Sequence, residues 1–359
     1  MSRAFIAFLF ALLAALSTPA AASDLVLDAG DGFIISVRVN GATLRLRVDP
    51  AASGLVIINP DAARRARLRP EIGPPVPFIP GAYPRKSFAR IGPVSLTGRT
   101  ATAAATISGQ PLAMRLIWFD RDVVPGADGV ISVADLPFDR VVLRLGAARG
   151  PEAAVALLLD YSPEMGLFFP YAVGDRMVPI QFSVWRQDNM STAAAGALLA
   201  TRHSGAWRGD YARRTVSFGI DRPVRPMALA QPIELPGLSI GQFLVRTGDY
   251  RGGFALPTDA ADPDEIVVEG ASVRQTARFN LTLGRNQLAR CSTLIWERAA
   301  RRLTLSCAQD IPVATEDRPE RGPVPPRARR AAANLSPRAE PDDTIGRSGS
   351  ADALRWPYE

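Results

Sequence analysis

The stretch Leu44-Arg-Leu-Arg-Val-Asp-Pro-Ala-Ala-Ser-Gly-Leu-Val-Ile-Ile58 predicts two strands joined by a tight turn of small residues. Apolar and basic residues alternate from Leu44 to Val48, which is the pattern of a strand with one buried face. Residues 55–58 form a continuous apolar run, as in a strand that is buried on both faces. Asp49, the one carboxylate of the stretch, lies in the turn between them. We therefore expect this carboxylate to be held rigidly and to be partly removed from water.

The turn has a counterpart later in the chain. Residues 190–199, Met-Ser-Thr-Ala-Ala-Ala-Gly-Ala-Leu-Leu, align without a gap on residues 48–57, and this alignment places Ser191 opposite Asp49. The same alignment predicts a strand directly after Ser191. The repeat suggests that the chain contains two related halves.

A second pair of segments supports the repeat. Residues 127–136, Ala-Asp-Gly-Val-Ile-Ser-Val-Ala-Asp-Leu, are similar to residues 279–288, Phe-Asn-Leu-Thr-Leu-Gly-Arg-Asn-Gln-Leu. Each segment lies roughly 80 to 90 residues after the small-residue turn of its own half, an interval large enough for a small domain. Each is followed by a predicted strand, at residues 141–145 and 292–296.

The first turn resembles the active-site turn of aspartic peptidases, both pepsin-like and retropepsin-like. Their signature is two hydrophobic residues, Asp, Thr or Ser, Gly, Ala or Ser, and Ser, followed by aliphatic residues. Asp49 and Ser53 match this signature, whereas Pro50 replaces the Thr and Ala51 replaces the Gly. The resemblance covers about residues 30 to 308.

The resemblance implies an all-β fold with two pseudo-symmetric β-barrel lobes that face each other across a central cleft. Lobe 1 is expected at residues 24–155 and lobe 2 at residues 156–308. In the second turn, Ser191 stands where the family has its second aspartate, and Thr192 matches the Thr that follows it. Ser53 and Thr192 are implied as substrate-binding positions.

Residues 70–90 contain six prolines and therefore cannot form a central strand. In the resembled family a hairpin flap from the first lobe covers the cleft, and the pepsin-like branch carries a Tyr there. Tyr83 is the candidate for that residue and for substrate binding. The alternative is a surface loop with an incidental tyrosine.

Hydrolysis by an aspartic peptidase needs two carboxylates a few ångströms apart that share one proton. Asp49 supplies one of them, but the hydroxyl of Ser191 does not ionise and cannot supply the other. We therefore predict a pseudo-protease that keeps one catalytic aspartate and needs no cofactor. It would be a monomer that serves as a peptide-binding or envelope-interaction module, with a peptide or protein ligand in its cleft.

Three alternatives remain open at this point. An active aspartic endopeptidase would take its second acid from the Asp49 of a dimer partner or from a misaligned carboxylate such as Asp188. A Ser191-His203-Asp49 triad would use the one histidine of the chain, but no Gly-x-Ser-x-Gly motif accompanies it. An exported β-rich structural protein would bind no ligand in the cleft.

The charge pattern gives little support to two other classes of function. The formal net charge is +7, but the arginines are spread through predicted strands and no nucleic-acid-binding motif is present, so we expect no nucleic-acid partner. Asp120, Asp122 and Asp128 are close in sequence without a nearby His, and we expect no metal site there.

The N-terminal sequence predicts export, and the C-terminal sequence predicts a disordered tail. Residues 1–22 have the basic start, apolar core and small-residue end of a secretory signal, and no later segment is long and apolar enough to predict a membrane span. Arginine greatly outnumbers lysine, as in GC-rich bacteria, so we expect a periplasmic or secreted protein. Residues 309–359 are rich in Pro, Arg and acidic residues and predict a disordered tail.

Cys291 and Cys307 are the two cysteines of the chain. They flank a predicted hairpin centred on Ala299, which would place them opposite each other. In an exported chain this arrangement predicts a structural disulfide that contributes roughly 3 kcal/mol.

Overall fold

The computed structural model describes residues 24–72, 86–257 and 276–309. In these ranges the strands are β1 (Asp24–Asp28), β2 (Ile34–Val39), β3 (Ala42–Val48), β4 (Val56–Ile58), β5 (Lys86–Ile91), β6 (Val94–Ile107), β7 (Gln110–Trp118), β8 (Gly129–Ile131), β9 (Arg140–Arg144), β10 (Glu152–Leu158), β11 (Asp160–Ser162), β12 (Gly166–Val173), β13 (Arg176–Phe182), β14 (Met190–Thr192), β15 (Gly205–Trp207), β16 (Ala212–Ser217), β17 (Ile220–Leu235), β18 (Leu238–Arg246), β19 (Leu281–Leu283), β20 (Cys291–Glu297) and β21 (Arg302–Ala308). The helices are α1 (Pro60–Arg65), α2 (Ala193–His203) and α3 (Arg285–Leu288), with short 3₁₀ turns at Ala29–Asp31 and Val133–Asp135. The predicted all-β class is confirmed for this part of the chain.

Several predicted segments lie outside the described residues. They are the secretory segment 1–22, the tail beyond residue 309, and Tyr83 of the predicted flap. The described residues all belong to one compact unit. None of the helices within the described ranges is long and apolar enough to cross a membrane.

The strands form three sheets. The first has the order β2-β3-β8-β4-β7-β6-β5, and β2 also pairs with β6, which closes six of these strands into a barrel. The second has the order β11-β12-β13-β19-β14-β18-β17-β15, with β16 paired to β17. The third, with five strands in the order β1-β9-β20-β21-β10, combines strands from the beginning, the middle and the end of the described chain.

The first two sheets contain the same order of strand pairings. In the first sheet β3 is parallel to β8, β8 is antiparallel to β4, and β4 is parallel to β7. In the second sheet β13 is parallel to β19, β19 is antiparallel to β14, and β14 is parallel to β18. A helix follows β4 and another follows β14. These matching pairings allow positions in the two sheets to be compared residue by residue.

The strands around the first turn agree with the sequence pattern. Leu44, Leu46 and Val48 are fully buried on β3, while the intervening Arg45 is exposed. The side chains alternate because successive residues of a strand point to opposite faces of the sheet. A hairpin precedes this strand: β2 and β3 are joined by Asn40-Gly41, and both residues have positive φ, 47° and 84°.

The sequence after Ser191 forms a helix, so the predicted strand there is wrong. The helix α2 begins at Ala193, after Thr192, whose side-chain oxygen accepts a hydrogen bond from the Ala195 N–H at 3.3 Å. Alanine has the highest helix propensity of all residues, and Thr is a favourable N-cap. The run of small residues is therefore a helix and not a turn leading into a strand.

The predicted boundary between residues 155 and 156 falls inside β10. This strand pairs with β21 at the edge of the five-stranded sheet. In the same sheet β9, from the first half of the chain, pairs with β20, from the second half. The two halves of the chain are therefore joined through this sheet.

Cys291 and Cys307 are directly opposite each other on β20 and β21 and form a disulfide, as the sequence predicts. The two strands are connected by the turn at residues 298–301. The disulfide therefore ties together the ends of a hairpin in the sheet that the two halves share. A disulfide of this kind is typical of a protein from an oxidising compartment.

Removing the disulfide should lower the free energy of unfolding by about 3 kcal/mol, because the bond closes a short loop in the unfolded chain. The measurement is urea denaturation of the oxidised wild type and of the Cys291→Ala/Cys307→Ala variant. The reducing agent dithiothreitol should destabilise the wild type and leave the variant unchanged. Equal stability of the two proteins without reducing agent would contradict the prediction.

Candidate functional site

Asp49 lies directly after β3, at the point where the strand turns. Its backbone N–H donates to the Ile131 carbonyl at 3.0 Å, and its carbonyl accepts from the Ala52 N–H at 3.0 Å. The first bond extends the pairing of β3 with β8, and the second closes the turn. Only 2% of Asp49 is exposed, so the carboxylate is both fixed and removed from water, as the sequence predicts.

The carboxylate of Asp49 is held by the segment that follows β13. The Ser183 hydroxyl donates to Asp49 Oδ2 at 2.9 Å, and the Val184 backbone N–H donates to Oδ1 at 3.0 Å. Ser183 is itself fully buried. Among the described residues, no second carboxylic acid hydrogen-bonds to this carboxylate.

Burial raises the pKa of Asp49, because desolvation disfavours the charged form. The hydrogen bonds from the Val184 N–H and the Ser183 hydroxyl lower the pKa, and so does the positive charge of Arg186, but these effects are smaller than that of burial. The proton is therefore held more tightly than on an ordinary aspartate.

The strand pairings identify Ser183 as the counterpart of Asp49 in the second sheet. The Ser183 N–H donates to the Leu283 carbonyl at 2.8 Å, just as the Asp49 N–H donates to the Ile131 carbonyl. In each sheet, the residue before the serine or the aspartate is paired with the residue whose carbonyl accepts this hydrogen bond. Phe182 is paired with Leu283, and Val48 is paired with Ile131.

The sequence alignment of Ser191 with Asp49 is therefore wrong. Ser191 lies within β14 and is paired with Leu281, so its position in the second sheet is that of Ile58, which is paired with Gly129 in the first. The alignment followed the run of small residues, which belongs to a turn in the first half and to a helix in the second.

The predicted binding positions Ser53 and Thr192 have local partners in the structure. The Ser53 hydroxyl donates to the Leu55 carbonyl at 3.3 Å, within the turn that follows Asp49. The Thr192 hydroxyl donates to the Arg278 carbonyl at 2.5 Å, in addition to capping α2. Ser53 is partly buried and Thr192 is buried.

The next residue in the first turn, Gly54, allows a close approach between two segments. Its N–H donates to the Pro163 carbonyl at 3.1 Å, and the Tyr161 side chain occupies the space that a Cβ atom would need. The turn that carries Asp49 is thus supported by the connection between β11 and β12. A larger residue at position 54 would displace this support.

The structure does not assemble the Ser191-His203-Asp49 triad. His203 is buried at the C-terminal end of α2, and its ring nitrogens contact the Tyr171 hydroxyl at 3.1 Å and the Gln231 carbonyl at 3.0 Å. Ser191 precedes the other end of the same helix, roughly 17 Å away at 1.5 Å per residue. Burial lowers the pKa of His203, which is consistent with a neutral structural histidine.

Asp188, the misaligned carboxylate considered above, has partners other than Asp49. Its Oδ1 accepts from the Asn286 side chain at 3.0 Å, and its Oδ2 lies 3.7 Å from Arg214 Nε. In the described ranges, no group of three or more His, Cys, Asp or Glu side chains is arranged to hold a metal ion.

Two arginines and a tryptophan lie beside Asp49. The guanidinium carbons of Arg47 and Arg186 lie 5.5 Å and 5.6 Å from the centroid of the Trp185 ring. Burial lowers the pKa of both guanidinium groups, and the negative charge of Asp49 raises it by a smaller amount. Guanidinium groups at this distance from an aromatic face are attracted to it.

The tips of two hairpins lie over the region of the turns. Phe218, in the turn between β16 and β17, stacks edge-to-face on Phe119 with ring centroids 4.9 Å apart. Both belong to an apolar cluster with Ile91 and with Ala52 of the Asp49 turn, and Trp185 packs against this cluster. The hairpin of β5 and β6, through Ile91, therefore packs in the same apolar cluster as the Asp49 turn.

The tip of the hairpin of β5 and β6 contacts a charged cluster. A Cβ atom on Gly92 would lie 2.6 Å from Asp249 Oδ1 and 2.8 Å from an Arg222 nitrogen. Asp249 is also paired with Arg246 at 2.7 Å. Gly92 has a φ of 59°, so both the conformation and the lack of space require glycine.

Sequence reasoning also missed Asp135. Burial raises its pKa to about 6, and a hydrogen bond with Tyr161 together with the charge of Arg298 opposes this effect. The group lies in the 3₁₀ turn after β8. This raised pKa could not be recognised from the sequence, because the shift depends on burial.

Comparisons with known proteins give limited information. No family model and no curated protein matches the sequence. Among solved structures, the chain is similar to the EIAV protease complexed with the inhibitor HBY-793. The two are 16% identical, and the match covers 28% of this chain and 79% of that chain with a TM-score of 0.19. A TM-score this low decides neither the family nor the activity of the chain.

Proposed function

We propose that the protein is a bilobal, aspartic-peptidase-like pseudo-protease that keeps one of the two carboxylates needed for hydrolysis. The observation that carries this proposal is the hydrogen bond of 2.9 Å between Ser183 and Asp49. The two residues occupy equivalent places in two sheets that share the same pairing order. Asp49 thus faces a hydroxyl at the position where a catalytic pair would have its second acid.

A single carboxylate in this setting is a poor catalyst for peptide hydrolysis. The reaction requires one ionised carboxylate to activate water and one protonated carboxyl group to donate to the scissile carbonyl. The Ser183 hydroxyl does not ionise near neutral pH, and it therefore cannot share a proton with Asp49 in this way. Both oxygens of Asp49 are also already occupied by hydrogen bonds from the protein.

An active enzyme formed by two copies of the chain is the less favoured alternative. A retropepsin-like dimer would place the Asp49 of a second copy beside the first. Here Ser183 and Val184 of the same chain already fill the position next to the carboxylate. This arrangement favours a monomer.

In the absence of catalysis, we propose that the region between the two halves binds a peptide or a protein segment. The hairpin tips that carry Gly92 and Phe218 cover the two turns, and such hairpins could hold an extended peptide. The disulfide between Cys291 and Cys307 and the signal-like residues 1–22 favour an exported protein that meets its ligand in the periplasm or outside the cell.

The wild-type mature protein should not cleave a peptide library at any pH from about 3 to 7, the range in which a carboxylate pair works. The measurement is mass spectrometry of the library after incubation with wild type and with Asp49→Asn. Both proteins should give the same background, and pepstatin should not change it. Cleavage that disappears in Asp49→Asn and in the presence of pepstatin would show an active peptidase.

A further inference from the structure

Arg47 and Arg186 place two positive charges against one aromatic ring in a partly buried region. Their guanidinium carbons lie 5.5 Å and 5.6 Å from the centroid of Trp185. Both residues are partly buried. Both are close enough to Asp49 for its charge to affect their pKa values.

Among the described residues, neither guanidinium group is in contact with an anionic partner. In the part of the chain that the structure describes, no ion pair within 4.0 Å involves Arg47 or Arg186. The buried Nε of Arg47 also lacks a hydrogen-bond acceptor. The Asp49 carboxylate hydrogen-bonds to Ser183 and Val184 instead.

The next charged groups do not neutralise this excess. Arg246 is near enough to Arg186 to lower its pKa, so it adds positive charge to the region. Asp249 is paired with Arg246 at 2.7 Å and with Arg222 at 3.5 Å. The surroundings of Trp185 therefore carry more positive than negative charge.

A charged group that is partly removed from water without a partner is unfavourable, and a bound anion offsets this cost. Guanidinium groups bind carboxylates through paired hydrogen bonds, which are stronger than hydrogen bonds between neutral groups. The flat Trp185 ring limits the positions of both guanidinium groups, and a cation–π contact does not itself use their N–H donors.

We propose that Arg47, Trp185 and Arg186 form a subsite that binds an acidic side chain of a peptide ligand. The choice of a peptide rests on the proposed function, whereas the preference for a carboxylate follows from the arginines. In a catalytic aspartic-peptidase cleft, two carboxyl groups make this region acidic. Here one of them is replaced by Ser183, and the two arginines reverse the charge preference.

The test is isothermal titration calorimetry of the mature protein with acetylated hexaglutamate amide, and with hexaglutamine amide as a neutral peptide of the same length. The acidic peptide should bind at least about tenfold more tightly, and its affinity should fall as sodium chloride is raised. Arg47→Gln and Arg186→Gln should each weaken binding about tenfold, the loss expected for a charge-assisted hydrogen bond.

The control is Arg115→Gln, which removes the same charge from an exposed position on β7 and should leave the affinity unchanged. If Arg186→Gln does not fold, as judged by its thermal melt, Arg186→Lys replaces it and should keep part of the affinity through its charge. Equal binding of both peptides, no binding of the acidic peptide, or the same weakening in Arg115→Gln would overturn the proposal.

The outcome is separate from that of the cleavage experiment. If the protein hydrolyses peptides and still binds hexaglutamate through Arg47 and Arg186, the subsite stands and the pseudo-protease proposal fails. If it neither hydrolyses peptides nor binds hexaglutamate, the pseudo-protease proposal stands and the subsite is wrong.

Discussion

Replacing Ser183 with Asp should give the protein a peptide-cleaving activity in acid that the wild type lacks. We expect cleavage about 10² to 10⁴ times above the wild-type background, which is the usual contribution of a positioned acid or base. The measurement is the cleavage of the same peptide library from about pH 3 to 7, with the scissile bonds identified by mass spectrometry.

The physical reason is the position of Ser183. Its hydroxyl oxygen lies 2.9 Å from Asp49 Oδ2, and both residues are held by equivalent backbone hydrogen bonds after β13 and β3. Two carboxyl groups this close cannot both ionise, so they would share one proton over the acid range. One could then activate water while the other donates to the peptide carbonyl.

Two further variants control the result. Ser183→Asp combined with Asp49→Asn should lose the activity, because only one carboxylate remains. Ser191→Asp places a carboxylate at the position that the sequence alignment chose. The Ser191 side chain is buried, and among the described residues its hydroxyl has no hydrogen-bond partner. It should destabilise the protein without giving activity, because a buried charge without a partner is unfavourable.

A folded Ser183→Asp variant that cleaves nothing would contradict the equivalence of Ser183 and the missing second aspartate. Activity in Ser191→Asp would contradict it more directly, since it would restore the sequence alignment. Pepstatin should inhibit Ser183→Asp if the two carboxylates act as a pair. Folding of each variant is checked by its thermal melt before activity is compared.

Much of the first half could be predicted from the sequence because the signals there are local. The alternation from Leu44 to Val48 is set by the geometry of a strand, and the Asn40-Gly41 turn is set by residues that tolerate positive φ. The facing cysteines likewise followed from counting residues outward from a turn.

The second half could not be predicted in the same way, because its turn lacks the small residues of the first. Ser183 is followed by Val184 and Trp185, whereas a similar run of small residues occurs later, in the helix α2. The ends of the strands align the two halves better than the run of small residues does, because seven residues separate β3 from β4 and seven also separate β13 from β14. Aligning the strand ends places Ser183 opposite Asp49.

The cluster of Arg47, Trp185 and Arg186 was also beyond sequence reasoning. Arg47 belongs to an alternating strand, and the alternation predicts that it lies with Arg45 on the solvent-exposed face. Its partial burial results from Trp185, a residue more than a hundred positions later in the chain. Contacts between distant segments of this kind leave no periodic pattern in the sequence.

Replacing Asp49 with Ala should lower the free energy of unfolding by about 3 kcal/mol, because it leaves buried donors without acceptors. The Val184 N–H and the Ser183 hydroxyl both donate to this carboxylate. Asp49→Asn should change stability much less, since the amide oxygen can accept from Val184 and the amide nitrogen can donate to the Ser183 oxygen. Urea denaturation at constant pH measures both effects.

The pH dependence of the free energy of unfolding distinguishes the effect of the Asp49 charge from the effect of its hydrogen bonds. Burial raises the pKa of Asp49 in the folded protein above its value in the unfolded chain. The folded state therefore binds more protons than the unfolded state between these two pKa values. The stability that comes from the protonated group is fully present below the unfolded pKa, and it is lost as the pH rises through the folded pKa.

Asp49→Asn cannot lose a proton, so it should remove this decline. Relative to wild type, its stability should rise from about pH 4 upward, the pKa of an aspartate in the unfolded chain, and reach a constant difference above the folded pKa. Asp175→Asn, at a site with an 89% exposed side chain, provides the control and should not alter the pH profile. If Asp49→Asn and wild type have parallel profiles, the pKa of Asp49 is the same in the folded and the unfolded protein, and the hydrogen bonds from Val184 and Ser183 together with the charge of Arg186 cancel the effect of burial.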